Sequence, residues 1–386
     1  MRWLTLGVLL ALVSPAAPAV AQPSTAGKPP GSSVVAKRVP ALKVTKRVRG
    51  LSNPWDVKAI GNGRLLVTER DSARLIVVGK GGKRRVKFPS GKVWVRGETG
   101  LMSLEVDPFF SRNRRVYTCS GWRTSAGHDI RVIAWRLNKR ATRVKRLRTL
   151  VRGLPAVSGR HAGCRLLIAN DGSLLVGTGD AAIGTNPRDL GSLAGKTLRL
   201  NRTTGAPWPS NPFAGSANRR SRYVLTFGHR NIQGLAQRRD GSLWSVEHGP
   251  FVDDEVNKLV PGGDYGWHPV PGYNESVPMT DQSLPGKQYA ATWRSGAPTL
   301  ATSGATFVRG RKWGALNGTL AVAALKASRV LFLTFNDSGR VVKSRTPGAL
   351  RRYGRLRSVS TAPNGDLLIT TDTDSRGGAV LRVSPR

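Results

Sequence analysis

Acidic residues are scarce in this 386-residue chain: 22 Asp and Glu stand against 62 Lys and Arg, a formal net charge of +40. Cysteine is scarcer still, at 2, too few for a disulfide-stapled scaffold or a zinc cluster. Helical periodicity is almost missing, which points away from helical architectures. No apolar run, the N-terminal one included, is long enough to cross a bilayer stably. Glycine is what the chain has in quantity, with 45 residues. It is set among short apolar and β-branched runs, the pattern of strands joined by tight turns. The balance is that of a folded protein, neither a disordered tail nor a collagen. The length allows two or three ordinary domains, but a closed β architecture uses it as one.

The basic excess is scattered. Its longest cluster, Lys139 to Arg148, is interrupted by Ala, Thr, Val and Leu. Nucleic-acid binders concentrate Lys and Arg on one face or tail, so nucleic acid is not an expected partner. A generally Arg-rich composition accounts for the charge. The other reading is adhesion to an anionic polymer of the cell envelope.

Arg2 precedes an apolar run from Trp3 to Val13, then Ser14-Pro15-Ala16-Ala17-Pro18 and Ala19-Val20-Ala21. A charged start, a short apolar stretch and an A-x-A site predict a signal peptide over 1–21. The expected location is therefore secreted, periplasmic or in the cell envelope. Residues 22–40, rich in Pro, Ser, Gly and Ala, read as a flexible linker. The folded domain is expected over 41–386. Export permits a disulfide between Cys119 and Cys164; two buried thiols are the alternative.

One phrase recurs: a turn, Gly, any residue, then an apolar strand. It stands at Gly63-Arg64-Leu65-Leu66-Val67, Gly172-Ser173-Leu174-Leu175-Val176 and Gly241-Ser242-Leu243-Trp244-Ser245. It returns at Gly318-Thr319-Leu320 and Gly365-Asp366-Leu367, with a degenerate copy at Arg114-Arg115-Val116. The copies lie roughly 50 to 80 residues apart, room for three or four antiparallel strands each. Six such units predict an all-β, six-bladed β-propeller, since one unit cannot bury both faces but neighbours stacked around an axis can. The segments 41–48 and 379–384 are placed to pair and close the ring. A pair of β-sandwiches is the rival, and it leaves six similar phrases unexplained.

A propeller brings the residues before each innermost strand together at one rim. Here they are polar: Glu98, His161, Arg230 with Asn231, Thr299, and Arg355 with Arg357. A second polar cluster runs through Phe227-Gly228-His229-Arg230-Asn231-Ile232-Gln233-Gly234-Leu235 to Glu247-His248-Gly249-Pro250, Asp253-Asp254-Glu255 and Gly262-Gly263-Asp264-Tyr265-Gly266-Trp267. Carboxylates and Gly-Pro carbonyls at this density suit a hard cation such as Ca²⁺.

In these motifs the chain resembles the soluble quinoprotein sugar dehydrogenases, the glucose/sorbosone dehydrogenase family that uses pyrroloquinoline quinone (PQQ). The likeness extends from Leu51 to Asp372. It implies a six-bladed propeller that oxidises an aldose sugar at C1, with PQQ and Ca²⁺ as cofactors and an electron acceptor the sequence does not name. It implies His161 as catalytic base, Asp180 as the carboxylate orienting it, and Arg230 beside the reactive quinone carbonyl. Asn231 would contact the cofactor, and Thr299, Lys326, Arg355 and Arg357 would bind its carboxylates. The carbonyls of Gly249 and Pro250 would hold one Ca²⁺; Glu255 and the carbonyl of Tyr265 would hold a second.

Three positions depart from the glucose-oxidising members: Glu98 replaces Gln in the cofactor region, Arg160 replaces an acid before the base, and Ala297 replaces an aromatic. Arg160 is therefore expected at the substrate, as a clamp for an acidic sugar or as the charge that offsets Glu98. The rival functions are a Ca²⁺-dependent lactonase and a non-catalytic carbohydrate- or wall-binding propeller.

Overall fold

The computed structural model describes Met1, residues 38–374 and residues 376–386. The expected signal peptide, apart from Met1, and the linker up to Lys37 lie outside the described residues. Arg38–Arg386 form one compact unit.

The strands make six four-stranded antiparallel sheets. Strand β1 (Leu42–Leu51) is separated in sequence from the sheet it joins. Sheet 1 holds β2 (Pro54–Ala59), β3 (Leu65–Glu69), β4 (Arg74–Gly79) and β5 (Gly82–Val86). Sheet 2 holds β6 (Leu101–Val106), β7 (Arg115–Thr124), β8 (Gly127–Leu137) and β9 (Val144–Leu154), with a one-turn helix α1 (Phe110–Asn113) before β7. Sheet 3 holds β10 (Gly163–Ile168), β11 (Ser173–Thr178), β12 (Thr197–Asn201) and β13 (Val224–Thr226). Sheet 4 holds β14 (Ile232–Gln237), β15 (Leu243–Glu247), β16 (Glu255–Leu259) and β17 (Trp293–Arg294). Sheet 5 holds β18 (Thr302–Phe307), β19 (Leu320–Ala324), β20 (Arg329–Phe335) and β21 (Val341–Arg345). Sheet 6 holds β22 (Leu356–Thr361), β23 (Leu367–Thr371), β24 (Gly378–Pro385) and, at its edge, β1. β1 pairs with β24 from Leu42 opposite Pro385 to Leu51 opposite Gly378, so the two chain ends close one sheet.

The first strands of neighbouring sheets pack on one another around a common axis. This is the six-bladed propeller. Each recurrent phrase is the second strand of its sheet. β3, β11, β19 and β23 are buried along their whole length. A strand covered on both faces reads as a continuous apolar run, which is why the phrase was visible. The outer strand β5 is exposed over most of its length, and its side chains are basic.

A second repeat is invisible in composition. In all six sheets the pairing of first with second strand shifts register at the start of the first strand. Such bulges bend the strand and re-aim its side chains. All six lie at the same rim. Cys119 in β7 and Cys164 in β10 are joined as a disulfide with Cα atoms 5.8 Å apart, linking sheets 2 and 3 three residues beyond His161.

The channel between the first strands is charged. Asp56 of β2, almost fully buried, accepts hydrogen bonds from Arg165 Nη1 at 2.9 Å, Ser103 Oγ at 3.0 Å and Ser358 Oγ at 2.8 Å. Four first strands therefore meet on one carboxylate.

Candidate active site

At the rim of the bulges, first strands begin and second strands end. His161, Arg230, Thr299 and Arg355 precede β10, β14, β18 and β22. Asp180, His248, Lys326 and Asp372 follow β11, β15, β19 and β23.

His161 and Asp180 are both buried, and the ring Nδ1 lies 2.9 Å from Asp180 Oδ1. Tyr273 Oη lies 2.8 Å from the same Nδ1 and donates to Asp180 Oδ2 at 2.7 Å. Trp267 Nε1 donates to Oδ2 at 2.8 Å, and the Ala182 N–H to Oδ1 at 2.8 Å. Since the Tyr273 proton goes to the carboxylate, both groups facing Nδ1 are acceptors. The network assigns the proton to Nδ1 and leaves Nε2 with its lone pair. The backbone is shaped for this contact. His161 has φ +50°, and Gly163 and Cys164 are also in the left-handed region. Any Cβ on Gly179 would strike the His161 carbonyl, so glycine is needed there for the two segments to touch.

Arg230 is nearly buried. Its Nη1 donates to the His248 carbonyl at 3.0 Å, and its guanidinium lies 5.5 Å from the Trp267 ring. Its Nη2 pairs with Glu275, whose other oxygen pairs with Arg160. Burial alone would raise the Glu275 carboxyl, but the two guanidiniums hold it below the usual carboxylate range. Arg160 therefore does not offset Glu98, as one expectation had it. Glu98 instead accepts from Asn231 Nδ2 at 3.0 Å. Burial pushes Glu98 up, yet the His161 and His248 rings and the Asn231 amide outweigh it and hold the carboxyl below its ordinary value.

His248 sits among these groups. Burial leads in pulling it down to about 3; Glu98 opposes this, while Arg357 and Arg230 add to it. Its Nε2 is buried without a partner. Arg357 donates to Asp372 at 2.7 Å and to Gln233 Oε1 at 3.2 Å; Arg355, half exposed, shares Asp372 at 3.9 Å. A cavity of about 300 Å³ opens beside them, lined by Asn53, Arg70, Arg355, Arg357, Asp372 and Asp374. A larger mouth of about 450 Å³, at the opposite end of the channel, contains none of the expected site residues.

Thr299 and Lys326 approach through their backbones: Thr299 N–H donates to the Phe251 carbonyl at 3.2 Å, and Lys326 N–H to the Leu300 carbonyl at 3.1 Å. The Gly249-Pro250 turn is tied to this loop by Asp254, which accepts from Gly249 N–H at 3.1 Å and Leu300 N–H at 2.7 Å. Glu255 stands directly opposite Glu247 across β15 and β16, and both are buried. Burial, then the Glu247 charge, push Glu255 up to about 8. Thr280 Oγ1 donates to Glu255 at 3.2 Å, and Thr280 abuts Gly266, next to Tyr265. Tyr265 itself stacks on His229, which binds Glu247 at 2.9 Å.

The Glucose / Sorbosone dehydrogenase family model matches residues 51–382. The chain belongs to that family. It is 30% identical over 354 residues to the aldose sugar dehydrogenase YliI of Escherichia coli K12, covering 87% of this chain and 91% of that one. The soluble aldose sugar dehydrogenase of Escherichia coli, solved in the apo-form, superposes with a TM-score of 0.79 at 28% identity, over 90% of this chain and all of that one. The PQQ-bound aldose sugar dehydrogenase of Streptomyces coelicolor gives 0.75 at 26%, over 90% of this chain and 100% of that chain.

Within this glucose/sorbosone dehydrogenase frame, sequence reasoning missed Glu275, Tyr273, His248 and Asp372. Glu275 had one cue, the rarity of acids in this chain. Tyr273 had none, because it reaches His161 from a loop more than a hundred residues away.

Proposed function

We propose that the protein is an exported quinoprotein that oxidises the C1 hydroxyl of an aldose to the lactone. What carries the reading is the His161–Asp180–Tyr273 network set beside buried polar atoms that lack partners. Arg230 Nε, Arg357 Nε and His248 Nε2 are buried without partners. An anionic, carbonyl-rich group such as PQQ, with its three carboxylates, fits such a cleft, with Lys326 and Arg355 as exposed cations beside it and Thr299 and Asn231 as polar contacts.

PQQ, when bound, supplies a two-electron acceptor for the hydride from C1, and Ca²⁺ the charge that polarises it. His161 Nε2 takes the proton of the sugar hydroxyl. Asp180 holds Nδ1–H and stabilises the imidazolium that forms. Arg230 keeps a fixed positive charge in a nearly dry site, where it acts more strongly than in water. The lactonase alternative fits less well: it needs several carboxylates at the channel centre, where the first strands bring the buried guanidiniums of Arg165 and Arg357. Titrating the protein with PQQ in millimolar Ca²⁺, then adding an aldose and a dye, tests the proposal. Quinone binding with sugar-dependent dye reduction is expected; no binding at all points to a non-catalytic propeller.

For Ca²⁺ the donors are the Gly249 and Pro250 carbonyls and, at the second site, Glu255 with the Tyr265 carbonyl. Chelation is expected to lower the melting temperature by about 5 °C, and Glu255→Gln to remove most of that response. The pH dependence has a definite sign. The folded Glu255 carboxyl titrates near 8 against an ordinary 4.5, so the native state binds the extra proton in between. Raising pH from 5 to 8 without Ca²⁺ then costs stability, and Ca²⁺ flattens the slope. A melting curve indifferent to chelator at pH 8 counts against both metal sites.

Arg160 acts on the substrate through Glu275. Both guanidiniums near the base already share that carboxylate, which competes with a uronic acid for them. Wild type is expected to prefer glucose over glucuronate, and Glu275→Gln to shift the kcat/KM ratio toward glucuronate about tenfold. A wild type that prefers glucuronate restores the direct clamp.

A further inference from the structure

The six sheets differ on the face opposite the candidate active site, where first strands turn into second and third into fourth. In sheets 3, 4 and 6 those turns carry an aspartate paired with an arginine: Asp171 with Arg199, Asp240 with Arg238, Asp366 with Arg382. Sheet 1 lacks this, and sheet 2 has in these turns only Asp107, which pairs with Arg202 beside sheet 3. Their copies of the recurrent phrase carry Arg64 and Arg114-Arg115 where other sheets carry Ser, Thr or Asp. No acidic residue lies between Asp71 and Glu98 or between Asp129 and Asp171.

The fold joins these two acid-free stretches. Lys87 N–H donates to the Thr142 carbonyl at 2.7 Å, and Val144 N–H to the Lys87 carbonyl at 3.1 Å. Arg64 then reaches the Lys139 carbonyl at 3.3 Å, Arg84 the Arg140 carbonyl at 3.2 Å and Arg114 the Asn138 carbonyl at 2.9 Å. A carbonyl positions a guanidinium without cancelling its charge. Among the described residues no ion pair within 4 Å involves residues 74–97 or 132–159. Burial and the neighbouring Arg64 even hold Arg114 below the usual guanidinium value, a sign of crowded like charges. A groove of about 630 Å³ runs here, lined by Arg64, Lys80, Arg84 and the bare backbone of Gly79, Gly81 and Gly82.

We infer that this face of sheets 1 and 2 docks a flexible linear polyanion, leaving the candidate active site on the opposite rim open to substrate. Regularly spaced anions match cations strung along a groove, and release of condensed counterions drives such binding. A protein partner calls for apolar anchors, and stable seating on a bilayer for an apolar signal besides charge. Of the exposed large apolar side chains among the described residues only Phe109 borders the surface, and the Arg202 guanidinium lies 5.8 Å from its ring.

The test measures binding of poly(glycerol phosphate), of polygalacturonate and of phosphatidylglycerol vesicles at 50 and 200 mM NaCl. It compares wild type with two triple variants, each losing three charges. Lys80→Ser/Arg84→Ser/Lys139→Ser alters the groove and the adjoining turn of sheet 2; Lys343→Ser/Arg351→Ser/Arg352→Ser alters exposed positions on β21 and in the segment between sheets 5 and 6. Melting curves confirm that both fold. Wild type is expected to bind at least one polymer, the tighter one identifying the anionic group. The groove variant should bind about tenfold more weakly at 50 mM, with a salt slope lower by about 2 to 3. The control should change by less than about twofold. Equal losses in both variants mean that total charge alone is read, and overturn the proposal. So does binding to neither polymer, or binding confined to phosphatidylglycerol vesicles.

Discussion

Replacing His161 by Asn is expected to lower turnover about a thousandfold while PQQ still binds. A positioned general base contributes about 10² to 10⁴ in rate, and the geometry of His161, the proposed base, is over-determined. Asp180 and Tyr273 both face Nδ1, so Nε2 is the atom free to take a proton. Asp180→Asn should cost a comparable factor, because an amide can present its N–H to Nδ1 and favour the wrong tautomer. Tyr273→Phe leaves the carboxylate in place and should cost far less. PQQ affinity, read by absorbance titration, separates this from cofactor loss: His161→Asn should bind quinone nearly as wild type does, whereas Lys326→Ala should bind it more weakly. If His161→Asn retains a tenth of the activity, the proton goes elsewhere and the assignment is wrong.

His161 was legible in sequence because its environment is repetitive. The six phrases are doubly covered second strands, and their apolar runs mark the blades. Once blades are marked, topology alone says that residues before each first strand converge. The structure places Glu98, His161, Arg230 and Arg355 on that rim. Glu98 and Asn231 meet, though far apart in the chain, for this reason.

What stayed hidden depends on long loops and bulges. Tyr273 and Glu275 lie in the stretch between β16 and β17, which has no period to read, and their partners are fixed only by how it folds back. The register shift at every first strand adds no recognisable residue type, yet it decides which way each rim side chain points. Arg160 shows the consequence. Its charge and its place before the base were readable, but its partner Glu275 was not, and the partner changes the expected substrate from an acidic to a neutral sugar.

Removing Asp56 is expected to destabilise the fold by about 3 to 5 kcal/mol, the range for breaking a buried ion pair and leaving its partner unpaired. Nothing in the sequence marks Asp56. In the structure it holds the Arg165 guanidinium, which stacks 4.1 Å from the Trp55 ring and already has one buried nitrogen without a partner. Asp56→Ala strands that charge, whereas Asp56→Ala with Arg165→Met removes both and should cost less than the single change. The pH dependence follows the same charge. Burial would raise the Asp56 carboxyl, but Arg165 and Lys58 outweigh it and hold it below 3.8. Its contribution is therefore present above about pH 4 and lost as pH falls through the lower folded value. Wild type should unfold in acid more steeply than Asp56→Ala. The loss should also reach the site. Arg165 Nε donates to the Gln233 carbonyl at 2.8 Å, Gln233 Nε2 donates to Asn231 Oδ1 at 3.0 Å, and Arg357 leans on Gln233 Oε1. Cofactor affinity should fall together with the melting temperature in Asp56→Ala and recover in part in the double variant. A single variant that melts within about 2 °C of wild type would show that water, not Asp56, satisfies Arg165 in the channel.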